Sequence, residues 1–167
     1  MWQSSTFDAA TIDRELGWAE ELGFNLMRVY LSSVVWQNEP EAFKQHMDEY
    51  LTIADKHHIK TLFVFFDDCW NPESTYGPQP APKPGIHNSG WVQDPAVRLR
   101  ADTATLFPVL QAYVKDVLTT FKDDERIWMW DLYNEPGNSG HKLTSMPLLR
   151  NVFRWARECQ VSQPLTV

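Results

Sequence analysis

The segment Ile127-Trp128-Met129-Trp130-Asp131-Leu132-Tyr133-Asn134-Glu135-Pro136-Gly137-Asn138 runs from an apolar stretch into a polar corner. The apolar part reads as a strand, and Asn-Glu-Pro followed by Gly and Asn reads as the turn that ends it. This spacing puts one carboxylate, Glu135, at the C-terminal end of a strand, where α/β barrels gather their reactive groups. A carboxyl group set beside apolar walls has its ionised form desolvated. Its pKa is then expected to rise until it can donate a proton near neutrality, as a general acid must.

The same three letters occur a second time, at Asn38-Glu39-Pro40. Here the flanking Ser32, Ser33 and Gln37 are polar or small, so no buried strand leads into the corner. Pro40 suits the first turn of a helix, and Glu39 lies near that helix's positive end. Glu39 is therefore expected to have a structural role. The preceding strand separates the two motifs.

The rest of the chain supplies the elements that would hold Glu135. Asp8 to Leu22 reads as a helix, with Ile12, Leu16, Ala19 and Leu22 on one face and Gly23 as a stop. Phe24 to Leu31 reads as a strand carrying one charge, Arg28. Pro40 opens a helix with Phe43, Met47, Tyr50, Leu51 and Ala54 at helical spacing, ending near His57-His58. Thr61 to Phe66 is nearly continuous apolar sequence, as expected of a parallel strand covered on both faces. Leu106, Leu110, Tyr113, Val114, Val117 and Phe121 mark a third helix, in which Pro108 is expected to lie within the first turn. Pro147 is expected to start a fourth helix with Leu149, Val152, Phe153 and Ala156 inward. Leu165-Thr166-Val167 begins another strand.

Strand and helix alternate throughout, which argues for a parallel α/β architecture. The strand-end position of Glu135, and the lack of any GxGxxG or GxxxxGK loop, favour a (β/α)8 barrel over an open doubly wound sheet. Such a barrel needs at least about 200 residues, and this sequence has 167. The expectation is one domain over residues 1–167, cut at both ends and covering about strand two to the start of strand five.

A net charge of −7 with no Lys/Arg cluster argues against a nucleic-acid partner. The longest apolar run, Leu62 to Phe66, is too short to span a bilayer. No charged segment with an apolar core precedes the first helix, so no signal peptide is visible, and the compartment stays open. Cys69 and Cys159 lie far apart without CxxC spacing and read as free thiols. Eight tryptophans fit both a core and a sugar-stacking surface.

Between Asp67 and about Ala101 runs a long loop punctuated by Pro72, Pro78, Pro80, Pro82, Pro84 and Pro95. Loops of this length in compact domains are usually functional or disordered. It leaves the sheet at the same rim as Glu135, so it reads as a cleft wall. His57-His58 and Asp67-Asp68 look like a metal set, but the histidines end a helix and the aspartates end a strand, at opposite ends of a barrel. No metal and no cofactor are expected. Solvation and compensation of the helix dipole are the expected roles of the histidines.

Trp130 to Asn138, together with Gly23-Phe24-Asn25-Leu26-Met27-Arg28-Val29, resembles the clan A retaining glycoside hydrolases. The closest likeness is to the cellulase-like, family 5-like bacterial enzymes that act as endoglucanases, β-mannosidases or β-xylanases. Phe66 to Pro72, His87 to Gln93 and Arg154-Trp155-Ala156-Arg157 add to it. The resemblance implies a hydrolase of β-linked oligosaccharides or glycosides in which Glu135 is the acid/base and Asn134 contacts the sugar 2-hydroxyl. It implies that Arg28 orients the nucleophilic carboxylate; an ion pair with Asp67, Asp68 or Asp131 is the alternative. Asp67 and Asp68 are candidates for binding sugar hydroxyls, with helix capping or pairing to Arg28 equally open. Trp70, His87 and Trp91 are candidate subsite residues on the same rim.

A retaining mechanism needs a second carboxylate about 5–5.5 Å from the first. The resemblance places it on strand seven, beyond Val167, so residues 1–167 alone are expected to be inactive. Two other readings stay open: a carbohydrate-binding barrel without catalysis, and a metal-dependent barrel hydrolase.

Overall fold

The computed structural model describes residues 1–167. Four parallel strands lie in the order of the sequence: β1 (Leu26–Tyr30), β2 (Lys60–Val64), β3 (Ile127–Asp131) and β4 (Leu165–Thr166). Helices α1 (Ala9–Glu21), α2 (Ser33–Asn38), α3 (Pro40–Lys56), α4 (Thr103–Thr120) and α5 (Lys142–Glu158) precede and link them. Sequential parallel order with helical crossovers is the wall of a (β/α)8 barrel, here an arc of that wall. The register pairs Arg28 with Leu62 and Leu62 with Met129, and it sets Asp131 against Thr166. No helix is long and apolar enough to cross a membrane.

The core lies between sheet and helices. Met27 and Val29 of β1 pack toward it, so strand alternation turns Arg28 and Tyr30 to the opposite face. Phe63, Phe65 and Trp130 stack across β2 and β3, and Tyr113 of α4 closes over Phe65. Trp2, ahead of α1, is buried against Phe43, Tyr50 and Phe63 and donates its indole N–H to the Tyr30 carbonyl at 2.7 Å.

Several elements differ from expectation. The helix α2 carries no periodic signal because its six residues, Ser33–Asn38, make less than two turns. Pro147 does not open α5; the helix starts at Lys142 and Pro147 is its sixth residue. Pro108 is likewise the sixth residue of α4, beyond the first turn. Both prolines are exposed, so water can take up the carbonyl that each would have bonded, and the usual penalty of an interior proline is softened. Pro40 does occupy the first turn of α3, and Glu39 accepts from the Ser4 backbone N–H at 3.1 Å and from the Tyr76 hydroxyl at 3.3 Å.

His57 is not a solvated helix end. Its Nε2 lies 2.7 Å from Asp13 and its Nδ1 2.9 Å from Glu20, both on α1. Gly17 of α1 lets the ring come this close, because a Cβ there would meet His57 Cε1 at 3.3 Å.

Candidate active site

The strand ends converge as barrel geometry requires. Arg28, on the face of β1 away from the core, forms an ion pair with Asp131 at the end of β3. The same guanidinium donates to Asn134 Oδ1 at 2.9 Å and to the Tyr30 hydroxyl at 2.6 Å, and it lies 5.1 Å from the centre of the Tyr30 ring. The alternative of a pair with Asp131 is thus realised, with the same Arg28 nitrogen, Nη2, also holding the asparagine while Nη1 binds Tyr30.

Asn134 is buried. Its backbone N–H donates to Phe66 at 2.7 Å and its carbonyl accepts from Asp68 at 3.3 Å, so the pairing of β2 and β3 continues past the regular strands. Its Nδ2 donates to Asp67 at 2.8 Å and more weakly to Cys69 Sγ at 3.5 Å. Asp67 is buried. Desolvation pushes its carboxyl pKa up, against the hydrogen bonds from Asn134 and Cys69 that pull it down.

Glu135 has a left-handed backbone, with φ at +46°. A non-glycine residue there costs on the order of 1–2 kcal/mol, a strain that tends to persist at functional sites. Glu135 is exposed, so the apolar enclosure expected from its strand is not found. One carboxylate oxygen accepts from Asn138 Nδ2 at 2.6 Å. Gly137 follows with φ at +99°, where a Cβ would also press on Lys142 Cβ at 3.3 Å; only glycine fits this corner without displacement.

Asp68 does not reach the cleft. It is fully buried and accepts from Arg100 at 2.5 Å, the Tyr133 hydroxyl at 2.8 Å, the Gly137 backbone N–H at 2.6 Å and the Ser145 hydroxyl. Its oxygens are thereby saturated and none is free for a sugar hydroxyl. The residue instead ties the Glu135 turn, α5 and the long loop to the end of β2.

The aromatic candidates divide into two groups. Trp91 packs edge-on to Tyr30 at 5.0 Å, above β1. Trp70 and His87 pack edge-on to each other at 5.1 Å. Both tryptophans are exposed, at 44% and 40%. A cavity of about 460 Å³ is lined by Arg28, Tyr30, Asp67 and Trp91 together with Trp2 and Asp94; Glu135, Asn134, Trp70 and His87 do not line it. Arg28 and Asp67 join this cavity to Asn134, and through it to Glu135.

Residues that sequence reasoning did not single out complete the site. Tyr30 lies two positions beyond Arg28 on the same strand face, which was a usable signal. Cys69 is buried, and its thiol is pushed up to about 12 by desolvation and by the carboxylates of Asp67 and Glu135. Both cysteines are free. Asn138 sits in the turn, three residues after Glu135.

No protein-family model matches the sequence, and no curated protein matches it. Among solved structures, the chain is similar to the virulence factor SghA from Agrobacterium tumefaciens. The TM-score is 0.60 at 13% identity, over 94% of this chain and 36% of that one. The structure of SghA with its substrate analogue salicin gives a TM-score of 0.61 at 14% identity, over 94% of this chain and 35% of that one. A β-mannanase from the blue mussel Mytilus edulis matches at 20% identity and a TM-score of 0.49, over 88% of this chain and 42% of that one. The likeness to SghA shows a shared fold. This chain spans about a third of the length of SghA.

Proposed function

We propose that residues 1–167 belong to a retaining glycoside hydrolase, acting on a β-linked saccharide or glycoside of the kind cellulases, β-mannosidases or β-xylanases cleave, and that Glu135 is its acid/base. The observation that carries this reading is Glu135 itself: a carboxylate at a strand end, on strained backbone, held by Asn138 and flanked by an asparagine that Arg28 and Asp67 clamp. The substrate analogue in the SghA structure, salicin, is a glycoside, which supports this class of ligand.

In this reading Glu135 protonates the glycosidic oxygen as the bond to the leaving group breaks. It then takes a proton from the water that hydrolyses the glycosyl-enzyme. Asn134 has one strong N–H bond, to Asp67, and one weak one, to the sulfur of Cys69. The weak bond is the one a sugar 2-hydroxyl would replace, with little loss on the protein side. Trp91 over Tyr30, in the cavity beside Arg28, offers a stacking face for a sugar ring. The nucleophilic carboxylate is assigned to the full-length protein outside these residues.

The test is hydrolysis of an aryl β-glycoside by the full-length protein. Glu135→Gln is expected to lower kcat/KM by roughly 10²–10⁴-fold, the usual contribution of a general acid/base. In Glu135→Ala, added azide is expected to restore turnover of a substrate with a good leaving group, since the anion needs no base. Wild-type rates in Glu135→Gln would refute the assignment. Saccharide binding without hydrolysis would favour a carbohydrate-binding barrel.

A further inference from the structure

The turn after β3 contains an amide whose two N–H donors are both used. Asn138 is exposed, yet one Nδ2 hydrogen goes to Glu135 at 2.6 Å and the other to Cys69 Sγ at 3.3 Å. Its Oδ1 accepts from the Ser139 backbone N–H at 2.5 Å. An amide has two donors and one carbonyl oxygen, so rotation about its terminal torsion would break all three contacts. Cys69 Sγ receives Asn134 as well, at 3.5 Å. The sulfur therefore seats the amides on either side of Glu135. The seat is itself rigid, because Cys69 follows Asp68, which grips the Gly137 N–H.

Asp67 lies on the segment after β2 and accepts from Asn134, and the Arg28–Asp131 pair stands behind that asparagine. Asp68 lies beneath Gly137, with its charge matched by Arg100, and Lys142 of α5 packs its stem against that glycine. The hydrogen bond seen at the carboxylate of Glu135 comes from Asn138. A donor bonded to a carboxylate fixes its rotamer.

We propose that Asn138 is a positioning residue: its amide, seated on Cys69, holds the Glu135 carboxylate in one orientation. This rests on Glu135 being the acid/base. Without the donor the carboxylate loses that orientation, so the chemical step slows while substrate binding is kept.

The experiment compares kcat and KM of full-length wild type, Asn138→Leu and Asn138→Asp on an aryl β-glycoside. Leucine keeps the size and removes the donors; aspartate replaces them with a charge. In both variants a kcat lower by about tenfold is expected with KM within about twofold. Asn138→Asp provides the readout if the leucine variant does not fold. A kcat that stays at the wild-type value in a folded variant would overturn the proposal. Activity retained in Glu135→Gln would instead show that the acid/base assignment had failed.

Discussion

Asp68 shows how far one side chain can be misread from its neighbours. Two aspartates follow the apolar run of β2, and sequence says only that they leave the strand at the rim. Regular pairing stops at Val64, but hydrogen bonds continue through Phe65, Phe66 and Asp67, so the register of the extension decides which carboxylate turns inward. Asp68 is the one that meets Arg100, itself 5% exposed. Asp68→Ala is expected to cost about 3–5 kcal/mol, because it strands a buried guanidinium; urea unfolding would measure this. That Arg28 meets Asn134 was legible because strand ends must converge in parallel α/β folds. Cys69 and Asn138 were not, since a thiol and a turn amide acquire meaning only once the loop and the turn are folded against each other.

At the scale of elements, α1 and α3 are joined through His57. Hydrogen bonds that the ring N–H groups donate to Glu20 and Asp13 raise the imidazole pKa above its ordinary 6.5. A raised folded-state value makes the ion bridge fully stabilising below the unfolded-chain value, and the contribution is lost as pH rises through the folded one. His57→Gln is therefore expected to lower the thermal midpoint clearly at about pH 5.5 and much less at about pH 9, read by circular dichroism in both buffers. The long helices were legible because their buried faces repeat over several turns. The short α2 and the true start of α5 were not. Periodicity needs length, and an exposed proline at a helix's sixth position looks, in sequence, like a beginning.

For the molecule as a whole, the long loop is fastened to the barrel wall by Asp94. Its carboxylate accepts from the Ser33 backbone N–H at 2.6 Å and from the Ser33 hydroxyl. Burial raises its pKa to about 7, against those bonds. Between the ordinary carboxylate range and that value, the folded chain holds a proton that the unfolded chain has released. Stability from this group thus falls as pH rises across that window. Asp94→Asn is expected to lose less stability than wild type between about pH 5 and about pH 8, measured as the shift in urea midpoint. The strand order was legible from alternation alone. The anchoring of the loop was not, because it joins residues that are distant in sequence and share no motif.

Since each strand bonds only to its neighbours in sequence, the sheet can grow one strand at a time as the polypeptide leaves the ribosome. Local pairing of this kind favours rapid, N-to-C assembly over a search among distant partners. Asp68 and Cys69 are synthesised at the end of β2 before residues 134–138, yet most of their partners, Tyr133, Asn134, Gly137, Asn138 and Ser145, come later in the chain. The buried carboxylate and the strained corner would then be completed together, each supplying the hydrogen bonds the other lacks.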